Sequence, residues 1–213
     1  MTLDEYRKTF SDEDAVGWMA LDSALSQLYQ AQKPRHYPSG LPPMLSPLSG
    51  VSIYDSKTQK PHLHLVSYGM SELYYDEDAL GKESSKWGFE FTCRIAPTPP
   101  GEDPQWLIQL IYKLADYVYK SGRWFEENQL IPVNKFGVTP TNIHAIAFDV
   151  DSELGTIDTP HGTVTFLQMV ALNHDQFTSL GDAPTSGDVE KLLTQIKTEN
   201  ALLIMENISS SKP

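Results

Sequence analysis

A chain of 213 residues with 40% hydrophobic and 21% charged residues has the balance of a folded globular protein, which excludes a disordered chain and allows one sizeable core. Its single cysteine, Cys93, excludes an internal disulfide framework and a cysteine-built zinc cage. A formal net charge of −12 sets most of the surface against nucleic-acid phosphate, and no apolar run reaches the roughly 18 to 20 residues that span a bilayer, so neither a nucleic-acid nor a membrane partner is expected.

At the N-terminus, Met1-Thr2-Leu3-Asp4-Glu5-Tyr6 lacks a charged-then-apolar export signal, and with the lone cysteine this gives a cytoplasmic expectation. Ser11, followed by Asp12, Glu13 and Asp14, has the pattern of a helix N-cap with acids in the first turn, and predicts a helix to about Gln30. Trp18, Leu21, Leu25 and Leu28 recur along it at helical spacing as one buried stripe. Four prolines and a glycine between Pro38 and Pro47 make an extended connection. Gly50 to Tyr54 and His62 to Ser67 read as strands joined by the polar turn Asp55 to Lys60, a candidate hairpin.

Beyond the polar stretch Asp76 to Lys86, Gly88 opens a strict alternation. Phe89, Phe91, Cys93 and Ile95 face one way and Glu90, Thr92 and Arg94 the other, the pattern of a half-buried strand. Asp103 as N-cap and Pro104 just inside begin a helix whose stripe is Leu107, Leu110, Ile111, Leu114 and Val118, and Gly122 ends it. Strands are expected at Ile143 to Val150 and at Thr163 to Leu172, the latter apolar on both faces and therefore central. A capped helix from about Ser186 to Glu199 and an apolar run Ala201 to Met205 follow. Strands and helices alternate without a regular βαβ repeat, so the expected fold is α+β, one domain over residues 1–208 with a mostly antiparallel or mixed sheet, and 209–213 a mobile tail.

Few constellations suggest chemistry. His62 and His64 share one strand face and could share a metal, the basis of a metal-dependent hydrolase alternative, but no glutamate follows at the spacing a cupin-type site needs. Asp149, Asp151 and Glu153 alternate like the start of a calcium loop, yet Leu154 and Pro160 occupy the positions that demand glycine and glutamate, so the acids read as a polar strand end before the Gly155 turn. Gly69-Met70-Ser71-Glu72-Leu73 lacks the second glycine of a nucleophile elbow, and Cys93 lies in the core phase of its strand. No phosphate-cradling glycine motif is present. The expectation is a protein with no catalytic residues, metal or cofactor.

Val66-Ser67-Tyr68-Gly69-Met70-Ser71-Glu72-Leu73-Tyr74 followed by Gly88-Phe89-Glu90-Phe91-Thr92 resembles the Suppressor of fused family. Pro104-Gln105-Trp106 with Leu114-Ala115-Asp116-Tyr117-Val118 is similar, as is the run Thr159-Pro160-His161-Gly162-Thr163-Val164-Thr165-Phe166-Leu167-Gln168-Met169-Val170, in the same order over roughly residues 15–206. The resemblance implies an α+β domain that binds another protein and is not known for catalysis. Larger animal members restrain zinc-finger transcription factors by gripping an extended peptide between this domain and a second one, a clamp that is not expected of these 213 residues. Short bacterial members look like immunity proteins, so the expected partner is a cognate toxin, with a basic toxin domain as the candidate; a regulatory adaptor for another cytoplasmic protein is the alternative. The resemblance places Tyr74 on the partner-binding face. Asp76, Glu77 and Asp78 follow it, and such acids would speed encounter with a basic partner.

Overall fold

Residues 1–40, 46–133 and 136–206 are described in the computed structural model of the chain; the expected tail at 209–213 and part of the proline-rich connection lie outside them. The elements are α1 (Leu3–Thr9), α2 (Val16–Tyr29), β1 (Arg35–Pro38), β2 (Gly50–Ser56), β3 (His62–Tyr68), a 3₁₀ turn (Glu77–Ala79), β4 (Ser84–Ile95), α3 (Gln105–Ser121), β5 (Leu130–Pro132), β6 (Ala145–Val150), β7 (Thr156–Thr159), β8 (Gly162–Leu172), α4 (His174–Ser179) and α5 (Ser186–Lys197). The strands form one sheet in the order β1-β2-β3-β4-β8-β6-β5, with β7 also on β8. The pairing of β4 with β8 is parallel and the others are antiparallel, so the sheet is mixed, as expected of an α+β domain.

The period-2 rule sorts the core into layers. Phe89, Phe91 and Cys93 of β4, Leu63 and Leu65 of β3, and Leu167 and Met169 of β8 face α3, whose stripe Leu107, Leu110, Ile111, Leu114 and Val118 is wholly buried against them. Each such side chain is worth about 1.5 to 3 kcal/mol of transfer free energy. On the opposite face Tyr54, Val66, Tyr68, Val164 and Phe166 pack on α2 through Leu21, Leu25 and Tyr29. Further along the same face Ala145, Ala147, Val170 and Leu172 pack on α5 through Val189 and Leu193.

The structure changes the reading of β4. Glu90, Thr92 and Arg94, expected on an open face, are all fully buried: Glu90 lies under the loop that follows β3, and Thr92 and Arg94 are bonded to Asp151. Two helix starts also differ. Ser11 does not cap α2: the Asp14 side chain folds back to accept from the Ser11 N–H and hydroxyl, and the helix begins at Val16. Asp103 does not cap α3 either; Pro104 holds that position, and the Asp103 carboxylate accepts from Arg35 Nε and the Tyr37 hydroxyl. Gly122 ends α3 in the left-handed conformation, as its position in the sequence implies.

Candidate partner-binding face

The loop from Gly69 to Leu80 carries every residue singled out as a binding candidate, and it is held by β4, by the start of α2 and by α1. From below, the Glu90 carboxylate accepts from Gly69 N at 2.9 Å, Ser71 N at 2.9 Å, Met70 N at 3.3 Å, and the hydroxyls of Ser67 and Ser71, each at 2.6 Å. These bonds favour the charged form, but burial outweighs them and holds the Glu90 carboxyl above its ordinary value. Gly69 has φ 131° and a Cβ there would stand 2.9 Å from Leu48 Cα and Pro47 O, so only glycine fits this turn.

From the side, the N-terminus of α2 abuts the loop. The N–H groups of Gly17 and Trp18 donate to the Leu73 carbonyl at 3.0 and 3.2 Å, which satisfies two donors that a helix start leaves free. The approach needs Gly17, since a Cβ would fall 1.8 Å from Glu72 O. Tyr75 N donates to Asp14 O at 3.0 Å on the same side.

From above comes α1, which the sequence reading missed although Thr2-Leu3-Asp4-Glu5 is a capping box and forms one. Tyr6 is fully buried and stacks on Tyr75 at 4.8 Å between centroids. Asp76 N donates to the Tyr6 hydroxyl at 3.2 Å, and the same hydroxyl meets His161 Nε2 at 2.6 Å. On the other side of the ring, His161 Nδ1 lies 3.3 Å from Glu72 O. From the far side, Arg7 forms a paired contact with Glu77, with Nε to Oε1 at 2.9 Å and Nη2 to Oε2 at 2.6 Å.

The four candidates therefore share one short segment but differ in role. Tyr74 is 48% exposed, its hydroxyl only 3.4 Å from Ser49 Oγ, so it does not pack inward. Asp78 is exposed, whereas Asp76 is half-buried and caps the 3₁₀ turn by accepting from Asp78 N. Hydrogen bonds from Arg7 and Tyr75 lower the Glu77 carboxyl to about 2, and Arg7 neutralises its charge. Glu77 is thus an anchor of the loop; Tyr74 and Asp78 are its presented groups.

His62, His64, Asp151 and Glu153 gather around Arg94 in a polar cluster on the α2 side of the sheet. His64 Nδ1 meets the Tyr29 hydroxyl at 2.6 Å and its Nε2 lies 3.2 Å from Asp151 Oδ2. His62 Nδ1 meets Lys60 O at 2.8 Å. Asp151 binds Arg94 through both oxygens, at 2.5 and 3.0 Å, Thr92 adds a hydroxyl, and Glu153 takes Arg94 Nη2 at 2.9 Å. Asp151 Oδ1 also accepts from the backbone N–H groups of Glu153 and Leu154, so the acids shape the turn, as expected, and in addition neutralise a buried arginine, which was not. Burial alone would raise the Asp151 carboxyl; His64 and Arg94 outweigh it and hold the group below the ordinary carboxylate range. Burial holds His64 toward its neutral form and pushes the Cys93 thiol up. Among the described residues no three His, Cys, Asp or Glu side chains converge on a metal-sized site, and no helix is long and apolar enough to cross a membrane.

Comparison with known proteins agrees with this architecture. The family profile "Suppressor of fused protein (SUFU)" matches residues 45–206. The human and mouse Suppressor of fused homologs are each 30% identical over 159 residues, covering 70% of this chain; the match spans only 33% of their length. Among solved structures, the Sufu–Fu complex has a chain that superposes with a TM-score of 0.77 at 27% identity, covering 91% of both chains. Drosophila Suppressor of Fused gives 0.75 at 26% identity over 92% of this chain and 51% of that one. A putative SUFU homolog from Neisseria gonorrhoeae shares the fold, with a TM-score of 0.57 at 14% identity over 86% of this chain and 90% of that one. With the profile spanning most of its length and the buried strands and pinned loop falling within the matched residues, the chain belongs to the Suppressor of fused family.

Proposed function

We propose that the chain is a non-catalytic binding domain that docks another protein on the Tyr74 loop and so sequesters or neutralises it, the partner being a basic toxin domain for which this chain is the immunity protein. The observation that carries the reading is an exposed tyrosine on a segment held on both flanks by hydrogen bonds, those to Glu90 being buried. Such a loop loses little conformational entropy on binding, and tyrosine at the centre of an interface is a common energetic anchor. A solved relative is itself a protein–protein complex, the Sufu–Fu complex, which supports the binding half of the proposal. The net charge of −12 and the presented Asp78 favour a basic partner.

Capture from the native cell with the parent chain and Tyr74→Ala side by side tests it. A protein held by the parent and released by the variant, toxic when expressed alone and harmless when co-expressed with the parent, is the expected result. A captured protein that is harmless by itself would instead assign a regulatory adaptor. Equal capture by both chains would remove Tyr74 from the interface.

A further inference from the structure

Next to the Tyr74 loop, α2 leaves the sheet partly uncovered. Between it and the β1–β2 edge runs an open groove of about 270 Å³, lined among others by Trp18, Asp22, Tyr29, His36, Ser52 and Tyr54. Ser52 and Tyr54 are buried at the sheet end, and Asp22 is exposed at the solvent end. The aromatic rings are held in place before anything binds. Trp18 stacks on Tyr68 at 4.5 Å and leans on His36 at 5.4 Å, and Tyr54 stacks on Tyr29 at 4.5 Å. The acid is fixed too, since Asp22 Oδ1 accepts from the Tyr68 hydroxyl at 2.9 Å. Asp22 is the one acidic residue among the lining residues, which include no lysine or arginine; burial pushes the His36 pKa down, and its Nδ1 meets Ser52 Oγ at 3.0 Å.

Aromatic walls with a single carboxylate form the environment that recognises an organic cation, by attraction to the ring faces and to the acid together. The volume falls below the range of about 300 to 1,000 Å³ typical of small-molecule pockets, and suits one long side chain. The groove is also continuous with the candidate face: Trp18 N bonds Leu73 O, one residue before Tyr74, and Ser49, which precedes Gly50 of β2, lies 3.4 Å from the Tyr74 hydroxyl. We propose that this groove receives a lysine or arginine side chain from the partner protein that docks at Tyr74, with Asp22 and Trp18 as its recognition groups. The inference rests on the proposed binding role of Tyr74 and extends it by naming the chemistry of the partner's anchoring residue.

The probes are the acetyl-methylamide derivatives of lysine, arginine and norleucine, titrated into the full chain while nuclear magnetic resonance follows the Trp18 indole and His36 ring signals. The lysine or the arginine derivative should shift those signals saturably, with the uncharged norleucine derivative binding about tenfold more weakly. Asp22→Asn keeps an acceptor for Tyr68 and removes the charge, so it should weaken the cationic probe by about threefold or more while melting within about 2 °C of the parent. Ser26→Lys, at an exposed position lining the groove, should block the probe by supplying a competing amine. Norleucine binding as well as the cations, no saturable shift with any probe, or full affinity in both variants would overturn the proposal. The two readings fail separately. Tyr74→Ala should leave probe binding intact, so probe binding without Tyr74-dependent capture sinks only the docking face, and Tyr74-dependent capture without probe binding sinks only the groove.

Discussion

Arg94 and Asp151 meet with no solvent around either, and a pair of this kind is expensive to break from one side. Asp151→Ala should lower unfolding free energy by about 3 to 5 kcal/mol, because it leaves a buried guanidinium without its main partner. The pH dependence follows from the sign of the shift. The folded-state carboxyl lies below its ordinary value of 3.8, so its contribution is complete above that value and fades as pH falls below it. Denaturant unfolding of parent and Asp151→Asn should therefore show a stability difference that holds above about pH 4 and shrinks as the pH is lowered further. An unchanged difference would mean that Asp151 is not held ionised. Phe91→Ala and Phe166→Ala, on opposite faces of the sheet, should each cost about 3 to 5 kcal/mol in the same assay. Tyr74→Ala should stay within about 0.5 kcal/mol of the parent, since the ring covers little of the protein itself. The family motif pointed to Tyr74 directly. The roles of Arg94 and Glu90 were not legible, because an alternating polar face looks the same whether water or more of the chain covers it. Nor could sequence reveal that Arg7, seventy positions away, holds Glu77.

At the scale of elements, α1 is a strap that holds the Tyr74 loop. Tyr6→Phe removes the hydroxyl that bridges Asp76 N and His161 Nε2, leaving two polar groups short of a partner at a cost of about 1 to 3 kcal/mol. Hydrogen exchange should report it locally. The amides of Asp76 and Asp78 should exchange faster in Tyr6→Phe while those of β3 and β4 keep their protection; uniform loss would make Tyr6 a core residue with no special hold on the loop. The long helices α2, α3 and α5 and the hairpin β2–β3 were legible because apolar periodicity persists over several turns or a full strand. The short strands β1, β5 and β7, of three or four residues, carry too little pattern, and Pro38 and Pro132 argue against strand by themselves. α1 was legible in principle, through its capping box.

For the molecule as a whole, the mixed α+β sheet follows from the sequence pattern, and the double cover of its centre follows from where α2, α3 and α5 fall along the chain. The acidic surface predicts how a partner arrives. Association with a basic partner should slow as salt is added, and neutralising Asp76 and Asp78 together should slow it further and flatten that salt dependence. Glu77→Gln should change the association rate less, since Arg7 already offsets its charge. The central claim, that the Tyr74 loop is the docking face, meets its most direct test in site-specific photo-cross-linking in the native cell. A benzophenone amino acid is placed at Tyr74 or, as a control, at Tyr119 of α3, which is 57% exposed on another element. The account predicts a discrete protein adduct from position 74 and none from position 119. No adduct at 74, or the same adduct from both positions, would contradict it.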